Sequence, residues 1–393
     1  MESSIAMEKN KGVSSLKRIS LYLLMFSYSI TATMISPMLP EIISDFSLNL
    51  SQGGLILTVQ SIGGMLVISL LSFFADKVKK SRLITIGFSL YIICLYLISI
   101  LPVFTVILLV FLVFGAGSRT VDTLSNAYIT DLFPERKSRY LNILHSIFGV
   151  GALIGPMYAR FIMDNAYGWR SVFSILGLAS LPLLFLFIYS IRGIEEVKVD
   201  KVDLGKKESF LQLLKNKQLW ILAIVMFFYV GHQSAVMLWT PMYLEEYIET
   251  SAFIASLALS IYWIGIIISR LSFSYFSKYK KNSFLIKWTS ISAGILFFIG
   301  LLMLQQWFFI GGLFFSGILT GAFIPLVIDV GSSKYAANSG SVTAILYLAL
   351  NGSIMLFPWL VGLIAENISL QWGMYLAAVL LALIFFISYF IRD

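Results

Sequence analysis

Charge is what this sequence has least of. Only 12% of its 393 residues are charged, against roughly a quarter in a soluble globular domain. That shortfall excludes a chain wrapped in water, because the remaining charges cannot cover its surface. Cysteine is almost missing as well. The single copy, Cys94, lies inside an apolar stretch and has no intrachain partner, so disulfides play no part. One cysteine and two histidines make no cluster suited to a structural metal. No GxxxxGK loop followed by Ser or Thr is present, which leaves an ATP-driven pump without support. No cofactor is expected.

What is present is hydrocarbon. Hydrophobic residues make up 59% of the chain, and they gather in runs of about 20 or more, the length of helix that crosses a bilayer core. Six spans fall at about 19–41, 52–75, 82–101, 103–128, 140–163 and 170–191. Six more fall at about 217–241, 252–274, 284–303, 306–330, 340–363 and 371–391. The polar, basic start has no small-residue cleavage site after the first apolar run, so that run is read as a retained helix.

The net charge of +8 does not mark a nucleic-acid surface. With the N-terminus placed inside, all but Arg119, Arg160, Arg170 and Arg270 of the 28 Lys and Arg residues fall in cytoplasmic segments or at their helix ends. This asymmetry predicts both termini in the cytoplasm. The expected setting is the cell membrane, with the bilayer and a small-molecule substrate as partners and a monomer as the working form.

The longest polar stretch divides the chain into an N-terminal segment 1–18, a bundle 19–191, a cytoplasmic linker 192–216 and a bundle 217–393. The stretch reads first as a solvated linker, with a short interfacial helix at FLQLLKNK as the alternative. A weak internal repeat supports the division. A shift of 201 lays Lys77, Lys79 and Lys80 onto Lys278, Lys280 and Lys281. A shift of 202 lays Pro156, Asp164 and Asn165 onto Pro358, Glu366 and Asn367, and Trp169 meets Trp372 at 203. The expected fold is an all-α integral membrane protein. Its twelve transmembrane helices form two six-helix bundles related by a pseudo-two-fold axis along the membrane normal, with substrate held where the halves meet.

Polar groups inside the spans are functional candidates, because a charge at a helix centre costs about 2.5–3.5 kcal/mol on insertion scales. In the fourth span, Arg119 and Asp122 are three residues apart and share a face. At about 1.5 Å rise per residue, Asp122 and His145 of the fifth span should lie at one depth, each roughly 9 Å to the cytoplasmic side of its helix midpoint. An Arg, an Asp and a His together can take up and release a proton, which makes H+ the expected coupling ion. A static Arg119–Asp122 pair is the alternative. Asp329 is a second carboxylate, nearer the cytoplasmic end of the tenth span.

Tyr28, Gln60, Asn126, His232, Gln233 and Asn351 are the polar candidates for a ligand cavity. Trp239, Tyr262 and Trp263 are candidates for an aromatic sugar-binding face, although Trp and Tyr also favour membrane interfaces. Arg270 reads as an anchor for the inner end of the eighth span. Gly149, Gly151 and Gly155 permit close helix approach, with Pro156 interrupting the ladder.

The 6+6 pattern and the basic loop SFFADKVKKSR resemble the major facilitator superfamily along nearly the whole chain. The loop match is loose, with Ser72 in place of the usual leading glycine. The resemblance implies a conformational latch at Asp76 and Lys77. GAGSRTVDTLSNAY, LNILHSIFGVGALIGP, FFYVGHQSAVMLWTPMYL and YWIGIIISR resemble, in that order, segments of the fucose/glucose–proton symporter branch. That likeness implies a proton-coupling acid at Asp122. It departs from the branch at Gln233, where those symporters often carry an acid. The expected activity is therefore alternating-access, proton-coupled uptake of a sugar or similar polar metabolite. The alternative is a proton-coupled exporter of drugs or metabolites, since a Gly-rich segment ending in Gly-Pro also marks such exporters. Ala159 and Arg160 replace glycines of that exporter motif. An enzyme using His145 or His232 is disfavoured, because no nucleophile or second catalytic group accompanies either.

Overall fold

A computed structural model describes residues 2–74, 78–133, 136–192, 213, 215–276, 279–335 and 338–391. Among them there are helices and no strands. Twelve helices are long and apolar enough to cross a membrane. The first six are α1 (Ser15–Asp45), α2 (Leu50–Leu71), α3 (Lys80–Ile100), α4 (Phe104–Leu132), α5 (Arg139–Asn165) and α6 (Gly168–Ser190). The others are α7 (Lys217–Tyr247), α8 (Ala252–Phe273), α9 (Asn282–Leu302), α10 (Gln306–Lys334), α11 (Gly340–Asn367) and α12 (Leu370–Ser388). Most of the 192–216 linker and most of FLQLLKNK lie outside the described residues, as do Asp76 and Lys77.

The chain forms two compact units. One is Met1–Met34 with Val59–Lys201, and the other is Ile35–Thr58 with Val202–Asp393. In hydrocarbon, helices gain little by burying apolar surface from one another, so close packing and side-chain hydrogen bonds must hold them together. The first unit supplies both through α1. Ser27 Oγ lies 2.7 Å from Ser180 Oγ of α6 and 3.1 Å from the Tyr91 hydroxyl of α3. Thr33 donates to the Ala152 carbonyl of α5 at 2.9 Å. Gly151 and Gly155 let α5 approach this face of α1, since a Cβ on either would collide with Ser29 or Thr33.

In the second unit α7 is the buried element, lying against α11 and α12 with Val225, Tyr229, Val327 and Leu381 in the core. Ser353 of α11 donates to the Phe227 carbonyl. Residues 35–58 belong here because Thr58 donates to the Met355 carbonyl at 2.6 Å and Gly54 lies against the Pro358 backbone.

The two units repeat one local device. In the first, Lys80 at the start of α3 pairs with Asp131 at the end of α4. In the second, Asn282 at the start of α9 donates to Asp329 of α10 at 2.9 Å. One element departs from a continuous span. α10 is two helices, Gln306–Thr320 and Phe323–Lys334, separated by Gly321 and Ala322.

Candidate functional site

In the first unit the expected pair is formed. Arg119 Nη1 lies 3.0 Å from Asp122 Oδ2, with the side chains 18% and 19% exposed, so the pair sits at the edge of the packed interior. Its spacing on one helix face brings the charges together without help from a neighbour. Gly64 of α2 faces it, and a Cβ there would make ordinary contact with the Arg119 side chain, 3.4 Å from its Cβ. One turn along α4, Asn126 donates to the Asp122 carbonyl at 2.8 Å and reaches Asp122 Oδ1 at 3.4 Å. Asn126 Oδ1 and Gln60 Oε1 of α2 are both buried with no hydrogen-bond partner. Amide oxygens left this way are costly, by about 1–3 kcal/mol each, and are fit to receive a ligand donor. Tyr28 is buried against Phe148, ring centroids 5.8 Å apart.

His145 is exposed on α5. The partners seen at Asp122 are Arg119 and Asn126. Helical rise sets depth along an axis and leaves the direction of a side chain open.

In the second unit two expected ligand residues are occupied by the protein itself. His232 is fully buried, with Nδ1 2.9 Å from the Ala377 carbonyl of α12 and Nε2 3.1 Å from Ser316 Oγ of α10. A carbonyl only accepts, so Nδ1 carries the proton and donates. The ring meets Phe297 of α9 edge-on at 5.3 Å, so the imidazole joins four helices. Trp239 is fully buried too, and its indole N–H donates to the Pro358 carbonyl at 2.8 Å. Asn351 is 1% exposed and donates to the Tyr347 carbonyl at 2.7 Å. Gln233 is 8% exposed and Trp263 is 3% exposed. Tyr262 is fully buried and its hydroxyl has no hydrogen-bond partner.

Arg270 was expected only as an anchor. Instead of anchoring the end of α8, it turns to the interruption in α10. Its Nε–H donates to the Gly321 carbonyl at 3.4 Å, and its guanidinium lies 6.0 Å from the Trp263 ring centroid. The available signal was an arginine in an apolar span with no acid three or four residues away.

An open cavity of about 430 Å³ lies at the adjoining ends of α9 and α10, lined by Lys280, Lys281, Asn282, Asp329, Ser333 and Lys334. None of the expected ligand residues lines it. The polar groups within the spans, which had to be placed in hydrocarbon at a cost, are the stronger functional signal. Among the described residues no group of three or more His, Cys, Asp and Glu side chains is placed to hold a metal ion.

Known proteins agree with this architecture. The sequence model of the Major Facilitator Superfamily matches residues 21–304. A protein TsgA homolog of Buchnera aphidicola is 22% identical over 92% of this chain and 93% of its own. A putative glucose/galactose transporter of Helicobacter pylori is 20% identical over 63% of each chain. The crystal structure of a mutant of the nucleoside transporter NupG superposes with a TM-score of 0.79 at 14% identity, covering 96% of this chain and all of that one. With twelve membrane-crossing helices and a family match over most of its length, this chain belongs to the major facilitator superfamily and is a multi-pass membrane transporter.

Proposed function

We propose that this protein is a secondary active transporter that works by alternating access, coupling proton entry to uptake of a sugar or similar small polar metabolite across the cell membrane, with both termini cytoplasmic. The observation that carries the reading is the Arg119–Asp122 pair inside α4, with its neighbour Asn126. A carboxylate inside a membrane span is retained for a task, and proton relay is a common one. Exchange of partners at Asp122 links its protonation to the conformation of the bundle. The partnerless amide oxygens of Gln60 and Asn126 accept hydrogen bonds from solute hydroxyls. The resemblance of α4, α5, α7 and α8 to proton-coupled sugar symporters and the likeness to a putative glucose/galactose transporter support the substrate class.

The test is solute-induced alkalinisation of the medium around proteoliposomes loaded with purified protein. Uptake of a sugar or polyol with a matching pH rise supports the reading. Solute-driven acidification would favour the second reading, proton-coupled export, which rests on the Gly151, Gly155 and Pro156 segment of α5. Residue access settles orientation. A cysteine in 192–216 should label only from the cytoplasm and one at position 369 only from outside.

A further inference from the structure

The interruption in α10 and the arginine beside it have a chemistry that neutral-solute transport does not use. Two side chains of α8 hold the break. The Ala322 N–H donates to Ser269 Oγ at 3.1 Å, and the next residue of α8, Arg270, donates to the Gly321 carbonyl at 3.4 Å. The helices are close here because glycines allow it. A Cβ on Gly317 would stand 2.6 Å from the Tyr262 carbonyl, one on Gly321 2.6 Å from Ile266 Cα, and one on Gly265 2.5 Å from the Phe314 carbonyl.

The break leaves the N-terminus of a 12-residue helix, Phe323–Lys334, inside a membrane span. Such an end carries partial positive charge. Arg270 places a full positive charge beside it, and among the described residues no Asp or Glu pairs with that guanidinium. Its bond to Gly321 is long and uses only Nε. Among the described residues no hydrogen bond is made by the Nη groups, the fork that matches a carboxylate or phosphate. The surroundings suit a polar guest: Tyr229 of α7 and Tyr347 of α11 lie within electrostatic reach of Arg270. Trp263 lies 6.0 Å from it on the same helix face. About two turns from Arg270, at the middle of α8, Tyr262 holds a fully buried hydroxyl with no partner among the described residues, within electrostatic reach of Tyr229.

We propose that Arg270 and the α10 break bind an oxyanion, a carboxylate or a phosphate, on the transported solute, with Tyr262 as a further donor. This rests on the transporter reading and narrows its substrate to acidic metabolites. A guanidinium grips either oxyanion through two parallel charge-assisted bonds, and a helix N-terminus at a discontinuous span favours the same charge. The competing account is structural: Arg270 merely caps the first half of α10.

The experiment is thermal stabilisation of the purified full chain by matched probes: glucose, glucuronate and glucose 6-phosphate, then a panel of other carboxylates and phosphates with their amides or alcohols. Wild type should be stabilised by at least one anion and at least tenfold less sensitively by its neutral counterpart. Preference between glucuronate and glucose 6-phosphate assigns the oxyanion. Arg270→Gln should weaken the anion by about tenfold or more, the scale of a lost charge-assisted bond. Arg270→Lys should keep part of the affinity, since it retains charge without the fork. Should Arg270→Gln fail to fold, Tyr262→Phe should weaken the anion several-fold while leaving unliganded stability unchanged or higher. Ser269→Ala loosens the break without touching charge and should weaken the anion less than Arg270→Gln does; a loss as large as that of Arg270→Gln would make the effect structural. No stabilisation by any anion, or equal anion affinity in Arg270→Gln, overturns the proposal. The transporter reading falls separately: neutral-solute uptake at full rate by Arg270→Gln would refute the oxyanion site and leave transport standing, whereas absence of any solute flux would refute both.

Discussion

Four arginines lie away from the basic helix ends, and the two within the central spans solve the same problem differently. Arg119 of α4 has a carboxylate on its own helix, 3.0 Å away. Arg270 of α8 has none among the described residues, and instead leans on one carbonyl at a helix break. Near other helix ends, Arg160 holds Asp164 at 2.5 Å, and Arg170 donates to the Leu101 carbonyl at 2.6 Å while stacking on Trp169. A charge in hydrocarbon is retained where something repays its desolvation. At Arg119 the repayment is inside the protein and can be exchanged for a proton at Asp122. At Arg270 it is incomplete, which is the mark of a partner that comes and goes.

The largest effect that would sharpen this contrast is expected from Arg119→Ala. It strands Asp122, and removal of one partner from a buried pair costs about 3–5 kcal/mol. The partial exposure of this pair should hold the loss toward the lower end. Coupled uptake should fall about 100-fold, on the scale of a lost charge-assisted contact. Adding Asp122→Asn to Arg119→Ala should recover most of the stability without recovering coupling. A double variant no more stable than Arg119→Ala would mean that the two charges do not interact.

Gly321→Ala comes next. Its new Cβ would stand 2.6 Å from Ile266 Cα and 3.0 Å from the Ile266 carbonyl oxygen. Overpacking of this kind costs about 1–3 kcal/mol. Thermal unfolding in detergent should report the loss, together with weaker anion binding. A stable variant with unchanged anion binding would remove the break from the account.

His232→Phe should cost about 1–3 kcal/mol, because it leaves the Ala377 carbonyl and the Ser316 hydroxyl without the imidazole. The solute concentration at half-maximal uptake should stay within about twofold, since the ring is fully buried and both its nitrogens are engaged by the protein. A large rise in that concentration would return His232 to the binding site. The smallest effect is expected from His145→Gln. An exposed histidine that only relays the proton should change the coupled rate by less than about threefold, and a loss approaching that of Arg119→Ala would make it a proton carrier in its own right.

These residues also mark how far the sequence could be read. The twelve spans were legible because hydropathy is a sum over about 20 residues, and no local detail cancels it. The Arg119–Asp122 pair was legible because spacing alone brings i and i+3 together. The partners of His232 were not legible, since a buried histidine satisfied by Ala377 and Ser316 has the same sequence signature as one that holds a ligand. Nor was the α10 break. Gly321 and Ala322 lower the hydropathy of the span very little, and the sign that went unread was Pro325, which has no N–H to give the Gly321 carbonyl four residues earlier; Ser269 and Arg270 of another span take up the Ala322 N–H and that carbonyl.

The central claim is that Asp122 carries the coupling proton, and Asp122→Asn tests it most directly. The amide keeps the size of the carboxyl group and one of its two acceptor oxygens, and it cannot titrate. In proteoliposomes, solute-induced alkalinisation and uphill accumulation should both disappear in Asp122→Asn, while solute exchange across an energised or de-energised membrane continues near the wild-type rate. Proton movement at the wild-type ratio in Asp122→Asn would contradict the claim and reduce the Arg119–Asp122 pair to packing.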